Sequence, residues 1–461
     1  MSDIIGQKER QKQFILTGGL WAVMAQLSWP AVVAMVLYGF NSVLDAIFVG
    51  QFVNDIALAG VSLAYPLSQM STALGSLIGV GAGSVLSIAL GAKDQHTQER
   101  LLGVVNRLSI LCAAIYMVLA FTFARPLIVI MGGAGEALAY GVTYFRFCTI
   151  GAFFWIYGLA GNMIIRAEGR MKTAAWMMGV GLAVNAVCNY IFMGIFDMGV
   201  VGAAWGTNVG MFAYTLMGWL YFGRGKATFQ SKLLSLKGDK NITTSVVRLG
   251  MSSLMMNVMS LIQGVVVFNA LARYGTTADI AFYGVIYRVF QFLLTPIFGL
   301  MRALQPVIGI NYGAGQYDRV IQSYKVFAAA ALLLTLPFWF IFLVSPGAIL
   351  GMMLKDQVFT DIQFLHFRVY MAILPALSFI FMAMTLFPSV DKGKPAMMIG
   401  MARQFVFYIP VMLLLPRFIG VGGVYYGSLA IDTIIVLWTI LLVKKEFNSL
   451  RYQQALKTVM Q

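Results

Sequence analysis

Twelve long apolar stretches follow one another along this chain, parted by short polar turns, and they leave little choice of fold. They fall at about residues 26–52, 57–90, 101–124, 138–165, 173–196, 199–222, 247–273, 279–311, 320–345, 359–389, 395–416 and 420–443. A run of about 18 or more apolar residues is long enough to cross the hydrocarbon layer as a helix. Inside lipid each backbone N–H and C=O needs a partner within the protein, which favours helices for successive spans of this kind. The chain is 60% hydrophobic and 11% charged with mean hydropathy +0.82, more apolar surface than a soluble core absorbs. An all-α membrane protein with twelve transmembrane helices is therefore expected. Lys8, Arg10 and Lys12 precede the first stretch without a small-residue cleavage site, so the first span itself is expected to direct insertion.

A net charge of +15 invites a nucleic-acid reading, but the placement of the charge argues for membrane topology. Lys8, Arg10, Lys12, Lys93, Arg100, Arg166, Arg170, Lys172, the basic cluster from Arg224 to Arg248 that includes Lys232, Arg319, Lys392, Lys394, Lys444, Lys445, Arg451 and Lys457 all fall on one side. Arg125, Arg273, Lys355 and Arg417 fall on the other. Both termini are thus expected in the cytoplasm, with the basic excess facing anionic lipid headgroups and no nucleic-acid partner. Cys112, Cys148 and Cys188 each lie within a span, where packing is a better reading than disulfides or metal ligation.

The two halves of the chain repeat one another. Asp55-Ile-Ala-Leu-Ala-Gly60-Val61 returns as Asp279-Ile-Ala-Phe-Tyr-Gly284-Val285, and Gly91-Ala92, Gly169 and Gly199…Gly206-Thr207 have counterparts in Gly313-Ala314, Gly393 and Gly420…Gly427-Ser428, roughly 221 to 224 residues on. Six spans per half is an even number, so both halves enter the membrane in the same sense, about an axis along its normal. The expected organisation is a first lobe over 1–222, a cytoplasmic linker over 223–246, and a second lobe with a cytoplasmic tail over 247–461. Two lobes across a cleft suit alternating access.

Within the first lobe one carboxylate stands out. Asp45 lies seven positions before the end of the first stretch, and an ionised group inside a bilayer costs on the order of 3 kcal/mol or more, which marks it as a functional candidate that binds a proton or a cation. Its counterpart in the second half is Asn269, and the counterpart of Pro30 is Leu254. Pro30 removes a helix hydrogen bond and is a candidate hinge, or a static kink. At 1.5 Å per residue Asp45, Asn189 and Thr207 all sit roughly 10 to 12 Å below the same surface. Asn185 precedes Asn189 by four residues, so both amides project from one helical face. These groups suit a proton or small-cation site, and would also serve as hydrogen bonds between packed helices.

Leu44-Asp45-Ala-Ile-Phe-Val-Gly50, Asn185-Ala-Val-Cys-Asn189, Gly199-Val-Val-Gly202-Ala-Ala-Trp-Gly206-Thr207 and Gln305-Pro306-Val-Ile-Gly309-Ile-Asn311-Tyr-Gly313-Ala314 together resemble the multidrug and toxic compound extrusion (MATE) family, over essentially the whole chain. The resemblance implies a V-shaped pair of pseudo-symmetric six-helix lobes in a bacterial plasma membrane. It also implies export of drugs and organic cations in exchange for protons or sodium. Carried over residue by residue, the coupling site comprises Asp45, Asn185, Asn189 and Thr207. The chain departs from the family pattern at Asn189, where a second carboxylate is usual. One carboxylate compensates a dehydrated sodium ion poorly, so proton coupling is the first expectation and sodium the alternative. Asp432 is the nearest candidate for a second-lobe acid. No cofactor is implied, and a monomer is expected.

Other charges fall in or near the spans. Arg302, Arg368 and Arg403 are expected to snorkel from span ends, while Arg146 and Arg288 lie deeper. The 29 Met, 34 Phe, 20 Tyr and 8 Trp suit a deformable apolar cavity, for which Tyr38, Phe154, Trp155, Tyr157, Met163, Met256, Tyr283, Tyr287 and Gln291 are the candidates. An enzyme is not expected: HExxH and GxSxG are missing, and no extramembrane stretch offers room for a catalytic domain. A lipid-linked oligosaccharide flippase is the rival reading. It would be favoured by a cavity crowded with Arg146, Arg288 and Arg302.

Overall fold

The computed structural model describes residues 2–229, 233–353 and 359–460, so Lys232 and Lys355 of the charge pattern lie outside the described residues. Twelve spans run through it. The first lobe holds span 1 (Leu20–Phe52), span 2 (Asp55–Ala92), span 3 (Gln95–Thr122), span 4 (Gly135–Ile150 and Ala152–Ala167), span 5 (Met171–Asn189, continued by the π-helix Tyr190–Ile195) and span 6 (Gly199–Gly223). The second holds span 7 (Lys240–Tyr274), span 8 (Thr277–Gly313), span 9 (Tyr317–Val344), span 10 (Asp361–Ala372 and Leu374–Ser389), span 11 (Gly393–Met401, the π-helix Ala402–Tyr408 and Ile409–Ile419) and span 12 (Gly422–Met460). A further helix, Ser2–Thr17, precedes them.

Ten of these helices are long and apolar enough to cross a membrane, and span 4, bent by 54° at Gly151, makes an eleventh. Span 6 has the length, 25 residues. Its apolar character is diluted by six glycines and by Thr207, Asn208 and Thr215, of which Asn208 and Thr215 donate to carbonyls of span 4 and Thr207 to Ala203 O of its own helix.

Several helices start earlier than hydropathy alone suggests, because polar caps carry them beyond the apolar stretch. Span 7 begins at Lys240 and not near 247, with the Asp239 carboxylate accepting from the N–H groups of Asn241 (2.8 Å) and Ile242 (3.1 Å). Asn54 caps span 2 in the same way through Ala57 N–H at 2.7 Å. Thr276 and Asp279 form a capping box at the start of span 8.

The two lobes meet through spans 1, 2, 7 and 8, and glycine sets how closely. A methyl group at Gly81 would overlap the Val246 carbonyl, and one at Gly250 the Leu77 carbonyl. Gly91 lies in the same way against Ile310, and Gly313 against Ile88. The Gln305–Ala314 motif is therefore a seam: Gln305 Nε2 donates across it to Val80 O (2.9 Å) and Ser84 Oγ (3.0 Å), and Gly309 fits over Ser87. Gly81 and Gly83 belong to this packing too, as small residues do wherever membrane helices approach closely.

All these contacts lie in the halves of spans 2, 7 and 8 nearest the two chain termini. Lys12 Nζ donates to Leu90 O at 2.5 Å, Arg319 to Ile15 O at 3.0 Å, and Lys457 to Gly315 O at 3.3 Å. Two ion pairs, Arg248–Asp391 (2.6 Å) and Lys392–Glu446 (2.8 Å), tie the second lobe at the same end. The lobes are thus closed together at the end that carries both termini.

Candidate ion-coupling site

Asp45 sits half-buried on span 1, two turns before that helix ends, and spans 5 and 6 of its own lobe bring their polar groups to it. Gly206 and Gly210, one turn apart on span 6, make this possible. A side chain at Gly206 would overlap the Asn189 amide, and a Cβ at Gly210 would come within 2.6 Å of the Asn185 Cβ. The flattened face lets Asn185 and Asn189 lie directly against span 6, where both are buried, as is Thr207.

Asn189 Nδ2 donates to Asp45 Oδ1 at 2.6 Å. Asn41, one turn before Asp45 on the same helix, donates to Asp45 Oδ2 at 3.3 Å. The Asn185 amide is best oriented with its nitrogen toward the acceptors, an assignment made from the hydrogen-bond network. So placed, it donates to Asp45 Oδ1 and to Asn41 Oδ1, both at 3.1 Å, while its oxygen accepts from the Thr207 N–H at 3.2 Å. Thr207 Oγ1 donates to Ala203 O at 3.1 Å.

The four residues singled out from the sequence therefore come together, and the structure adds a fifth, Asn41. Its signal was available in the i, i+4 spacing to Asp45. Immediately after Asn189 the helix widens into the π-turn Tyr190–Ile195, a local form found often at functional sites. Asp45 is thus faced by amide nitrogens, while the Asn189 carbonyl oxygen turns away toward Gly206 and has no partner among the described residues.

The second lobe holds its own buried acid in a different setting. Arg403, in the π-helix of span 11, donates to Asp432 of span 12 through Nε at 2.6 Å and Nη2 at 3.2 Å, a bidentate pair. Its Nη1 reaches Gln263 Oε1 of span 7 at 3.3 Å, and its guanidinium lies 5.6 Å over the Tyr408 ring. Arg403 does not snorkel as expected. An acid on the neighbouring helix holds it inside the lobe.

The MatE family profile matches residues 30–191 and 249–414, one segment in each lobe. The chain belongs to the MATE family of transporters. Among its relatives is the multidrug export protein MepA of Staphylococcus aureus (strain NCTC 8325 / PS 47), 26% identical over 440 residues, covering 95% of this chain and 96% of the relative. MepA of Staphylococcus haemolyticus (strain JCSC1435) is 25% identical over 450 residues, covering 97% and 98%. Among solved structures the fold is shared with a MATE protein in the bent conformation, at TM-score 0.90 and 21% identity over 96% of this chain and 99% of that one. It is also shared with an outward-facing multidrug resistance MATE family transporter, at TM-score 0.88 and 21% identity over 95% and 98%.

Against this MATE architecture the expected cavity residues divide. Met256 lines a small cavity between the lobes. Trp155 and Tyr38 are half-buried, Trp155 donating to Thr72 Oγ1 at 2.8 Å. Tyr287 and Gln291 are half-buried and joined by a 2.5 Å hydrogen bond. Four others differ from expectation. Tyr283, 2% exposed, is packed among Phe268, Tyr370 and Tyr425 in the core of the second lobe. Tyr157, 4% exposed, and the half-buried Phe154 both pack their rings against Trp219 inside the first, Phe154 edge-on and Tyr157 tilted. Met163 is sealed into the lobe seam against Gly79. Aromatic residues of a membrane helix serve packing and cavity walls alike, so composition could not separate these roles. Pro30 is buried within span 1, which continues through it as one helix.

The remaining intramembrane arginines also find places. Arg368 is exposed and donates to Leu343 O at 2.8 Å, as a snorkelling residue would. Arg146 lies 5.2 Å over the exposed Phe121 ring, and Arg288 is exposed. Arg302 does not snorkel; it reaches across the seam to Met163 Sδ at 3.3 Å.

Proposed function

We propose that this MATE protein is a proton-coupled exporter of lipophilic organic cations in a bacterial plasma membrane, with both termini in the cytoplasm. Its staphylococcal relatives are named multidrug export proteins. The weight of Lys and Arg at the end bearing the termini supports the orientation. In that orientation the closed seam faces the cytoplasm, so the arrangement described is the one that receives protons from outside.

The observation that carries the coupling ion is the direction of the amides around Asp45. A sodium site needs several oxygens converging on one point. Here Asn189, Asn41 and Asn185 present N–H groups to the carboxylate, which suits an acid that alternates between charged and neutral forms. When Asp45 is charged, its oxygens accept these bonds at full strength. When it takes a proton, the charge-assisted part is lost and span 1 is held less firmly against spans 5 and 6. Pro30, with one backbone bond already missing, gives the same helix a point at which to yield.

A flippase is disfavoured by the arginines. Arg146 rests on Phe121 and Arg288 is exposed, which leaves Arg302 alone of the three at the cavity between the lobes.

Proton exchange is tested by adding a cationic dye to the purified protein in weakly buffered detergent. The expected result is proton release on binding that disappears in Asp45→Asn. Binding without release in the unmodified protein, across neutral pH, would contradict the proposal.

A further inference from the structure

Two arginines lie at the lobe seam with no carboxylate paired to them among the described residues. Arg166 of span 4 is 4% exposed; its Nε donates to Asn162 Oδ1 at 2.7 Å and its Nη2 points at Met178 Sδ, 3.9 Å away, while Nη1 has no acceptor among the described residues. Arg302 of span 8, in the other lobe, donates through Nη1 to Met163 Sδ at 3.3 Å. Thioether sulfur is a weak acceptor. Met163 and Arg166 are one helical turn apart on span 4, so the Met163 contact brings Arg302 to the same stretch of the seam, within electrostatic reach of Arg166.

Tyr214 of span 6 completes the group. It is 7% exposed, its hydroxyl has no partner among the described residues, and it lies within electrostatic reach of both arginines. The ion pairs among the described residues join Arg170 to Glu168, Arg248 to Asp391, Lys392 to Glu446 and Arg403 to Asp432; neither Arg166 nor Arg302 takes part in one.

A guanidinium stays charged under all biological conditions, and an unpaired charge taken out of water is costly. Two like charges on the same stretch of a closed seam add repulsion to that cost. The unfilled groups here are donors, so what they lack is an acceptor carrying negative charge. There is room for one: Arg302 lines a cavity of about 50 Å³ shared with Ser84, Ser252, Ser253, Gln305 and Thr385. That is space for a halide ion or a carboxylate group together with water.

We propose that the closed seam binds a monovalent anion, a halide or a carboxylate, at Arg302, with Arg166 and Tyr214 adding their attraction from the first lobe. Because Arg166 and Arg302 belong to different lobes, the anion bridges them. It binds best when the lobes are together at this end, and so favours that arrangement. The inference rests on neither the coupling ion nor the direction of transport.

The test uses the purified full chain in detergent and a halide-free methanesulfonate buffer. Bromide and acetate are titrated separately at constant ionic strength while Tm is followed. A saturable upward shift is expected with at least one of them, lost in Arg302→Gln, reduced in Arg166→Gln and partly kept in Arg302→Lys. A shift with bromide alone identifies a halide site. A shift with acetate identifies a carboxylate site, whose natural occupant is then sought by native mass spectrometry of the purified protein. No saturable shift with either anion, or an undiminished shift in Arg302→Gln, overturns the proposal. Should Arg302→Gln fail to fold, crystals of the unmodified protein soaked in bromide decide: an anomalous peak in contact with Arg302 supports the site, and its absence overturns it.

Discussion

Asp45 of the first lobe and Asp432 of the second both sit among spanning helices, and the two acids are built for opposite ends. Asp432 is neutralised in place by a bidentate arginine, so its charge has a fixed partner in the fold. Asp45 is surrounded by neutral amides, which support a negative charge without cancelling it. A carboxylate of the second kind has its charge available to a proton or a cation, and one of the first kind does not. The pseudo-symmetry of the chain thus repeats a scaffold without repeating a chemistry. Asn269, the counterpart of Asp45, is exposed and donates only to Val265 O of its own helix.

The comparison breaks most visibly if the two acids are neutralised in turn. Asp45→Asn is expected to abolish coupled export while leaving the protein inserted and its unfolding midpoint near that of the parent. Asp432→Asn is expected to leave Arg403 as a buried unpaired charge and to destabilise by about 3–5 kcal/mol. The double change Arg403→Met with Asp432→Leu should restore both stability and export. Dye efflux and thermal unfolding measured on the same four proteins would show it. If Asp432→Asn stays stable and loses coupling, the second-lobe pair is a coupling site after all.

Asn189→Asp sharpens the comparison next, since it gives Asp45 a second carboxylate at the position of a 2.6 Å hydrogen bond. Either the paired acids share a proton and the pH optimum of export rises, or their combined charge admits sodium and a sodium dependence appears. A variant indistinguishable from the parent in both respects would mean that Asn189 merely packs.

Smaller effects are expected from the other neighbours. Asn41→Ala, Asn185→Ala and Thr207→Ala each remove a hydrogen-bonding group worth roughly 1 kcal/mol, which corresponds to a loss of severalfold in the apparent affinity for the driving ion. A loss as complete as that of Asp45→Asn would promote any of them to a direct ion ligand.

The smallest effect lies outside the spans. Glu168, in the turn between spans 4 and 5, accepts from Tyr221 Oη and Thr228 N–H, both at 2.9 Å, and so fastens the start of the linker to the first lobe. Burial raises its carboxyl from the ordinary 4.5 to about 7, against the lowering effect of those hydrogen bonds and of Arg170. The folded protein then keeps a proton that the unfolded chain has lost. Stability should therefore decline as pH rises from about 4.5 to about 7. Glu168→Gln should flatten that slope in thermal unfolding measured across the window; an unchanged slope would assign it to other groups.

Much of this was legible in the sequence because the membrane simplifies the problem. Apolar length yields the spans, an even number per repeat yields the relation of the lobes, and residue depth along straight helices placed Asp45, Asn189 and Thr207 at one level. What stayed hidden depends on helix rotation and on contacts between distant spans. Arg403 and Asp432 read as separate charges until spans 11 and 12 were set side by side. The same limit concealed that Arg166 and Arg302, 136 residues apart in sequence and in different lobes, share one stretch of the seam. Tyr283 and Tyr157 looked like cavity walls because an aromatic residue carries no label for the side it faces.

The central claim is that Asp45 exchanges a proton for the exported cation, and its most direct test is efflux of a cationic dye from proteoliposomes with proton and sodium gradients imposed one at a time. The account predicts efflux driven by the pH gradient, collapsed by a protonophore, lost in Asp45→Asn and indifferent to sodium. Efflux driven by sodium alone, with no response to the pH gradient, would contradict it.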